Sequence, residues 1–209
     1  MYLSAAVIPP LHVARSVFHE VTTRGSEAAP RRSMTRAASG HPVLTFSPRP
    51  LWQAIPPERM LTQLSRFGYV DVADAESLGR SLSRQVSPHG PCLVSVGGPV
   101  TVDHSRNLVL MRLQGEVDRL EDVFHSLQSA VRRPGFVHDR RRFDPTVPVL
   151  AFDHDLSPRA LDQVVQALAG YSSRSWTASS VALVGRELSG RDSRHVVLDH
   201  LSLGAALVG

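Results

Sequence analysis

The chain has 209 residues and a formal net charge of +4, with 42% hydrophobic and 20% charged residues, as in an ordinary globular protein. No apolar run reaches the roughly 18 residues of a membrane span, and no basic residue precedes the apolar N-terminus, so we expect neither a signal peptide nor a membrane partner. Cys92 is the only cysteine, which excludes an intrachain disulfide and a thiolate metal cluster and indicates a reducing, cytoplasmic setting.

All 23 basic residues are arginines. Every positive charge is therefore permanent and can bind a phosphate through two N–H donors, whereas a lysine nucleophile or Schiff base is excluded. A net charge of +4 is too small to indicate nucleic-acid binding by itself. The position of the arginines in the fold therefore matters more than their number.

The first 50 residues predict a strand, a helix and a long loop. Residues 3–8 are apolar and typical of a buried strand, and the apolar spacing of residues 11–21 predicts a helix. Residues 24–40 contain four arginines and one acidic residue, so we expect a flexible Arg-rich loop. That loop is either an electrostatic arm for RNA or an acidic partner, or a tolerated surface insertion. Residues 42–46 predict a short strand.

Two later stretches, residues 58–68 and 143–152, predict the strands around which the chain is organised. Each is followed by an acidic turn, a helix, a Gly-containing break and a further strand, so we infer an internal duplication of about 40 residues per copy. Pro148 indicates that the second strand lies at an edge, a strand end or a bulge, because proline has no N–H to donate. The other predicted helices are 73–85, 117–131 and 158–168, and the other strands are 92–98, 108–113, 180–185 and 195–203.

Several local motifs resemble a known superfamily over nearly the whole chain. They are Pro9-Pro10 after the first strand, Trp52 and Pro56-Pro57-Glu58 before a strand ending at Gly68, Gly97-Gly98, and Phe143-Asp144-Pro145. In these motifs the chain is similar to the 2H phosphoesterases, which comprise 2′-5′ RNA ligases and cyclic nucleotide phosphodiesterases. The resemblance implies one bilobal α+β domain over residues 1–209, with two pseudo-symmetric antiparallel-sheet lobes and outer helices around a central cleft.

The superfamily carries one His-x-Thr/Ser-x motif on each of the two matched strands. Side chains two residues apart on a strand point to the same side, so each motif supplies an imidazole and a hydroxyl to the cleft, as acid or base and as phosphate ligand. In this chain the first motif falls on residues 61–64 (Leu-Thr-Gln-Leu) and the second on residues 146–149 (Thr-Val-Pro-Val). The resemblance therefore implies that both catalytic histidines are absent.

The resemblance and strand alternation together give the candidate binding residues. They predict that Leu61, Gln63, Thr146 and Pro148 line the cleft, where Gln63 and Thr146 can form hydrogen bonds with a phosphate or base. A basic patch adds possible phosphate or RNA contacts, namely Arg66, Arg140, Arg141 and Arg142. An ordinary basic loop would give the same pattern, and aromatic residues for base stacking are scarce near it in sequence.

Three other histidines are candidates to replace the missing ones. His104 and His138 fall in loops that would border the cleft, and His154 lies between Asp153 and Asp155 in a group that also has the chemistry of a hard-cation site. Adjacent residues rarely converge on one ion, so we expect no metal and no other cofactor. The string at residues 200–203 (His-Leu-Ser-Leu) matches the motif by letter but lies in the final strand, where a structural role is favoured.

Three functions remain open from the sequence. The favoured one is a catalytically degenerate 2H-like protein that binds a nucleotide, an RNA end or a protein partner. The second is an active RNA 2′,3′-cyclic phosphodiesterase with displaced catalytic histidines. The third is a structural, partner-binding subunit with no ligand in the cleft. The missing motif histidines favour the first and third, because each lost acid–base group removes about 10²–10⁴-fold of rate.

Overall fold

The computed structural model describes residues 1–28, 50–130, 141–189 and 192–204. Nine strands and four helices lie in these ranges. The strands are β1 Tyr2–Val7, β2 Trp52–Ala54, β3 Thr62–Tyr69, β4 Cys92–Asp103, β5 Leu108–Gly115, β6 Thr146–Phe152, β7 Trp176–Ala178, β8 Ser180–Ser189 and β9 Asp192–Ser202. The helices are α1 Leu11–Ala28, α2 Val72–Val86, α3 Val117–Ala130 and α4 Pro158–Leu168, with a short 3-10 helix at Pro57–Arg59.

The strands form two antiparallel sheets. Sheet A has the order β3-β1-β8-β9, and sheet B has the order β2-β6-β5-β4-β7. The two strands predicted to be matched, β3 and β6, lie in different sheets and contact each other across the molecule. This arrangement confirms the predicted α+β fold with two antiparallel-sheet lobes.

The repeated order of elements crosses between the lobes. From β3 in sheet A the chain passes through α2 to β4 in sheet B, and from β6 in sheet B it passes through α4 and the short β7 of sheet B to β8 in sheet A. Each half of the predicted duplication therefore contributes to both sheets. As a result, neither half can form a lobe without the other.

The helices pack on the sheets and bury their apolar sides. Helices α1 and α4 contact each other and strands of sheet B, α2 contacts β9 of sheet A, and α3 contacts α2, β3 and β4. Local sequence fixes two helix starts, because the side chains of Asp71 and Ser157 accept hydrogen bonds from the backbone N–H groups of Asp74 and Ala160. Among the described residues, no helix combines the length and the apolar character required to cross a membrane.

The structure corrects several predicted boundaries. Helix α1 continues to Ala28, so the first residues of the predicted 24–40 loop are helical, and residues 29–49, including the predicted strand at 42–46, lie outside the described residues. The strand predicted at 58–68 begins only at Thr62, after a 3-10 helix. The strand predicted at 143–152 begins at Thr146. The short strands β2 and β7 were not predicted, because three residues carry no detectable periodicity.

Candidate functional site

A cleft of about 790 Å³ lies between the two sheets. Its sheet A side is formed by residues of β1, β3, β8 and β9, and its sheet B side by residues of β5 and β6 and of the segment before β6. The described lining residues include six arginines and a single carboxylate, that of Asp144. The arginines are Arg59, Arg66, Arg106, Arg141, Arg142 and Arg186.

Two bulges decide which side chains of β3 face the cleft. The pairing with β1 shifts register once between Gln63 and Ser65 and again between Arg66 and Gly68, where Gly68 has a φ of +83°. Simple alternation from Gln63 would bring Ser65 and Phe67 into the cleft. Because of the bulges, both are 1% exposed and face the core. The residues of this strand, and of the position before it, that line the cleft are Leu61, Gln63, Leu64, Arg66 and Tyr69.

The cleft side of sheet A is ordered in rows across the four strands. At the outer end, Tyr69 of β3 pairs with Tyr2 of β1, Tyr2 pairs with Arg186 of β8, and Arg186 pairs with His195 of β9. All four line the cleft. The next rows run Arg66–Ser4–Val184–Val197 and Gln63–Ala6–Ala182–His200. Polar and aromatic side chains are thus concentrated at one end of sheet A.

The sheet B side of the cleft is more apolar. Thr146 and Pro148 of β6 face the cleft, together with Leu108 and Leu110 of β5. Pro148 pairs with Leu110 beside a register shift, and β2 ends opposite Leu150, so the missing N–H of Pro148 costs no hydrogen bond to β2. Of the three positions that the proline indicated, an edge, a strand end or a bulge, the structure shows the register shift of a bulge. Leucine and proline side chains offer no proton donor or acceptor to a ligand on this side.

Gln63 links the two lobes. Its Oε1 accepts a hydrogen bond of 2.8 Å from Nε of Arg66 on the same strand. The same oxygen lies 3.5 Å from Nη1 of Arg141, which precedes β6 on the other side of the cleft. One side-chain carbonyl therefore holds two guanidinium groups near each other at the centre of the cleft. Two guanidinium groups held beside the same oxygen atom form a suitable site for a phosphate or another anion.

A carboxylate forms an ion pair with Arg106 at the rim of the cleft on the sheet B side. Asp103 accepts hydrogen bonds from the side chain of Ser105 and from Nε of Arg106, and these lower the pKa of its carboxyl group to about 2. The ion pair with Arg106 therefore persists at any pH above that value. Because this arginine is already neutralised, it contributes less to the field of the cleft than its position alone indicates.

His195 is the one histidine among the described residues that line the cleft. Partial burial, followed by the nearby charges of Arg186 and Arg59, lowers the pKa of its imidazole, although the side chain remains largely exposed to solvent. The lowered pKa favours the neutral imidazole at neutral pH. It lies on β9, far in sequence from either motif position.

The predicted site residues are mostly brought together. All four motif positions line the cleft, as do Arg66, Arg141 and Arg142, whereas Arg140 lies outside the described residues. The remaining lining residues were missed because they come from separate parts of the chain. Those with polar or ionisable side chains are Tyr2, Ser4, Arg59, Tyr69, Arg106, Asp144, Arg186 and His195. The only sequence signal for them was the alternation within the predicted strands.

The histidines that the sequence offers as replacements do not line this cleft within the described residues. His104 packs edge-on against Phe152, with ring centroids 6.2 Å apart. His154 is exposed between Asp153 and Asp155, at 3.0 and 3.4 Å from their carboxylates. His138 lies outside the described residues. His200 is exposed on β9, with Nδ1 3.5 Å from Oγ of Ser180.

The acidic group at residues 153–155 remains the one potential metal-ligand cluster among the described residues. Ligand atoms from Asp153, His154 and Asp155 lie within 4.8 Å of one another. All three residues belong to one exposed turn, and Oδ1 of Asp153 also accepts a backbone hydrogen bond from Asp155. This is the geometry of a solvated helix-entry turn, and it carries no argument for a metal.

Comparison with known proteins gives a match at the level of structure. No family model and no curated protein matches the sequence. Escherichia coli LigT in complex with 3′-AMP superposes with a TM-score of 0.67 at 14% identity, covering 97% of both chains. A structure described as a phosphoesterase gives 0.66 at 14% identity, again over 97% of both chains, and a Thermus thermophilus protein gives 0.61 at 18% identity over 98% of both.

These matches define the class of fold. The chain has the bilobal α+β fold of LigT over nearly its whole length, and the structure described as a phosphoesterase shares it. The resemblance that the sequence motifs indicated is thus confirmed for the fold. At identities of 11–18%, the chemistry of this cleft has to be argued from its own residues.

Proposed function

We propose that this protein binds the phosphate of a nucleotide or an RNA end in the cleft and lacks the acid–base catalysis of 2H phosphoesterases. The observation that carries the proposal is the composition of the cleft wall, where six arginines accompany one carboxylate. Arginine binds phosphate oxygens through two parallel N–H donors, and a cleft concentrates the field of such charges. The cleft is therefore suited to an anion and not to a cation.

The residues at the motif positions support the absence of catalysis. Leu61 and Thr146 stand where the resembling fold has its two histidines, and neither side chain takes up or releases a proton near neutral pH. Pro148 stands at a hydroxyl position and has no hydroxyl. Gln63, at the other hydroxyl position, instead holds Arg66 and Arg141. The residues at these four positions therefore favour the binding of an anion and do not supply proton transfer.

The solved structures of LigT support the choice of ligand. That protein has been crystallised with 3′-AMP, ATP, NADP+ and phosphate. A cleft in a chain of the same fold, lined by arginines, is suited to phosphate groups of this kind. A protein partner in the cleft is the less favoured alternative, because the arginines would then need acidic side chains opposite them.

Equilibrium binding of 3′-AMP to the full chain, measured by calorimetry at two salt concentrations, tests this proposal. We expect salt-sensitive binding, weakened at least about tenfold in Arg141→Gln/Arg142→Gln, because each charge-assisted hydrogen bond contributes roughly 1.5–3 kcal/mol. Arg159→Gln is the matched control, since Arg159 is exposed on α4 and does not line the cleft. No binding by the wild type, or equal weakening in the control, would contradict the proposal.

A second candidate is favoured by one observation, the presence of His195 in the cleft. A neutral imidazole beside Arg186 has the chemistry of a general base, which an active cyclic phosphodiesterase with a displaced histidine would need. Hydrolysis of a 2′,3′-cyclic nucleotide at high protein concentration distinguishes the two. Turnover by the wild type that His195→Ala abolishes would establish the enzyme and overturn the binding-only proposal.

A further inference from the structure

The outer row of sheet A has a feature that phosphate binding alone does not use. Tyr2 and Tyr69 lie side by side on β1 and β3, with ring centroids 5.6 Å apart and ring planes at 83°. Tyr69 is 71% exposed, the highest exposure among the large hydrophobic side chains of the described residues. A ring with this exposure has most of its surface available for contact with a ligand, and its edge-on neighbour Tyr2 limits its movement.

Cationic side chains flank this pair on the same side of the sheet. Arg186 is the cross-strand neighbour of Tyr2, and Arg66 lies one row further along β3 from Tyr69. Both arginines line the cleft together with the two tyrosines. Aromatic rings that alternate with arginines along a groove are the arrangement by which proteins bind single-stranded nucleic acid, with bases on the rings and phosphates on the cations.

The dimensions of the row agree with such a ligand. Four adjacent strands separated by about 4.8 Å place Tyr69 and His195 roughly 14 Å apart across the sheet. A four-stranded sheet of this width that carries two aromatic residues accommodates on the order of two or three stacked bases in known RNA-binding folds. The ligand then extends past the central phosphate site instead of ending there.

We propose that Tyr69, braced edge-on by Tyr2, is a base-stacking subsite, and that the ligand is a single-stranded nucleic acid of a few nucleotides. One base stacks on Tyr69, and the adjoining backbone phosphates contact Arg66 and Arg186. The subsite requires an unpaired base. It does not distinguish one base from another, because every base has a π-face. This inference rests on the proposed function, and it adds the class of ligand and the residue that recognises it.

The test uses the full chain and a six-nucleotide single-stranded RNA that carries 2-aminopurine at its end and no terminal phosphate. Stacking on a tyrosine ring quenches 2-aminopurine fluorescence, so binding and stacking are followed in the same titration. We expect quenching in the wild type, affinity lowered about 5- to 100-fold with loss of quenching in Tyr69→Ala, and recovery of both in Tyr69→Phe, which keeps the ring. A base-paired form of the same RNA is expected to bind more weakly and without quenching.

Controls separate this inference from the proposed function. Leu93→Ala removes another exposed apolar side chain, on β4 and outside the cleft, and should leave RNA binding unchanged. If 3′-AMP binds but Tyr69→Ala binds the RNA as tightly as the wild type, or the RNA does not bind at all, the stacking subsite is wrong and the phosphate site stands. If neither 3′-AMP nor RNA binds, both proposals fail.

Discussion

The two sides of the cleft are built from equivalent strands and carry opposite chemistry. On sheet A, β3 and its neighbours present tyrosines, arginines, a glutamine and a histidine. On sheet B, β6 and β5 present a threonine, a proline and two leucines, and the arginines there come from the segment before β6 and the β4–β5 turn. Pseudo-symmetry of the backbone therefore does not extend to the binding surface, because the strands of sheet A carry most of its polar and aromatic side chains, whereas sheet B contributes arginines from flanking segments.

The difference arises from where each strand is irregular. Two bulges in β3 remove Ser65 and Phe67 from the cleft and bring in Arg66 and Tyr69. In β6 the irregularity occurs around Val149, and Val147 and Val149 on either side of Pro148 are completely buried. The bulges of β3 thus bring polar side chains into the cleft, whereas the irregularity of β6 adds none. Substitutions of single side chains on β3 and β6 test whether the two strands differ in this way.

The largest effect is expected from making both strands conform to the superfamily motif. The variant Leu61→His/Gln63→Thr/Thr146→His/Pro148→Thr supplies an imidazole and a hydroxyl from each side. We expect cyclic phosphodiesterase activity to rise by on the order of 10⁴-fold over the wild type, taking about 10² for each acid–base group. Hydrolysis of 2′,3′-cyclic AMP measures the gain.

The control for this variant carries the two hydroxyl changes alone, Gln63→Thr/Pro148→Thr, and should remain inactive. Comparable activity in the control and in the fourfold variant would show that the imidazoles are not the missing groups. A thermal melt of each variant separates a loss of folding from a lack of chemistry, since Pro148→Thr alters a bulged position.

The next largest effect concerns the bulge in β3. Phe67→Ala should reduce the free energy of unfolding by about 3–5 kcal/mol, because the ring is 1% exposed and its loss leaves a cavity. Tyr69→Ala, two residues further along the same strand, should change it by less than about 0.5 kcal/mol. Urea denaturation measures both. Equal costs would mean that β3 is regular and that Phe67 faces the cleft.

A smaller effect is expected from the pH dependence of binding through His195. In the empty cleft, partial burial and the charges of Arg186 and Arg59 lower the pKa of its imidazole. A bound phosphodiester raises that pKa, so the complex takes up a proton and affinity increases severalfold as the pH falls from about 8 towards about 5. RNA without a terminal phosphate is the appropriate probe, since its diesters do not titrate there. His195→Asn should flatten the profile, and an unchanged profile would exclude this role.

Protonation of the same histidine has the opposite effect on stability: it strengthens ligand binding but destabilises the folded chain without ligand. Because its folded-state pKa is lowered, the unfolded chain binds the proton more readily. The contribution of His195 therefore opposes folding once the pH drops below the ordinary pKa of the imidazole, and it is absent at higher pH. Without ligand, wild type and His195→Asn should accordingly converge in thermal stability above about pH 7 and diverge in favour of the variant at lower pH.

The smallest effect is expected at the β4–β5 turn on the sheet B side. Asp103→Asn removes the charged partner of Arg106 and should lower the free energy of unfolding by less than about 1 kcal/mol, as for other exposed ion pairs. The wild-type turn has this contribution in full above the ordinary pKa of 3.8, and loses it progressively as the pH falls from that value through about 2. An NMR titration of the Asp103 carboxyl group measures it directly. A midpoint near the ordinary pKa of 3.8 would contradict the hydrogen-bonded geometry.

Much of the fold could be predicted because its signals are local. Helix α4 begins and ends where the sequence indicated, since Ser157 caps it and Pro158 fits its first turn. The proline-marked bulge in β6 follows from the chemistry of one residue. The four motif positions reached the cleft because alternation holds over their short distances. Short strands and the extent of α1 were missed, because neither is fixed by a local pattern.

The sequence by itself determined the order of the longer elements and the buried sides of the helices, because these depend on residue identity and short-range periodicity. Only the tertiary structure decided that Tyr69, Tyr2, Arg186 and His195 form one row. Their strands are distant in sequence, and strand register is set by bulges and by packing across the whole sheet. The physical reason is that long-range pairing decides which residues become cross-strand neighbours, and no local sequence pattern encodes that pairing.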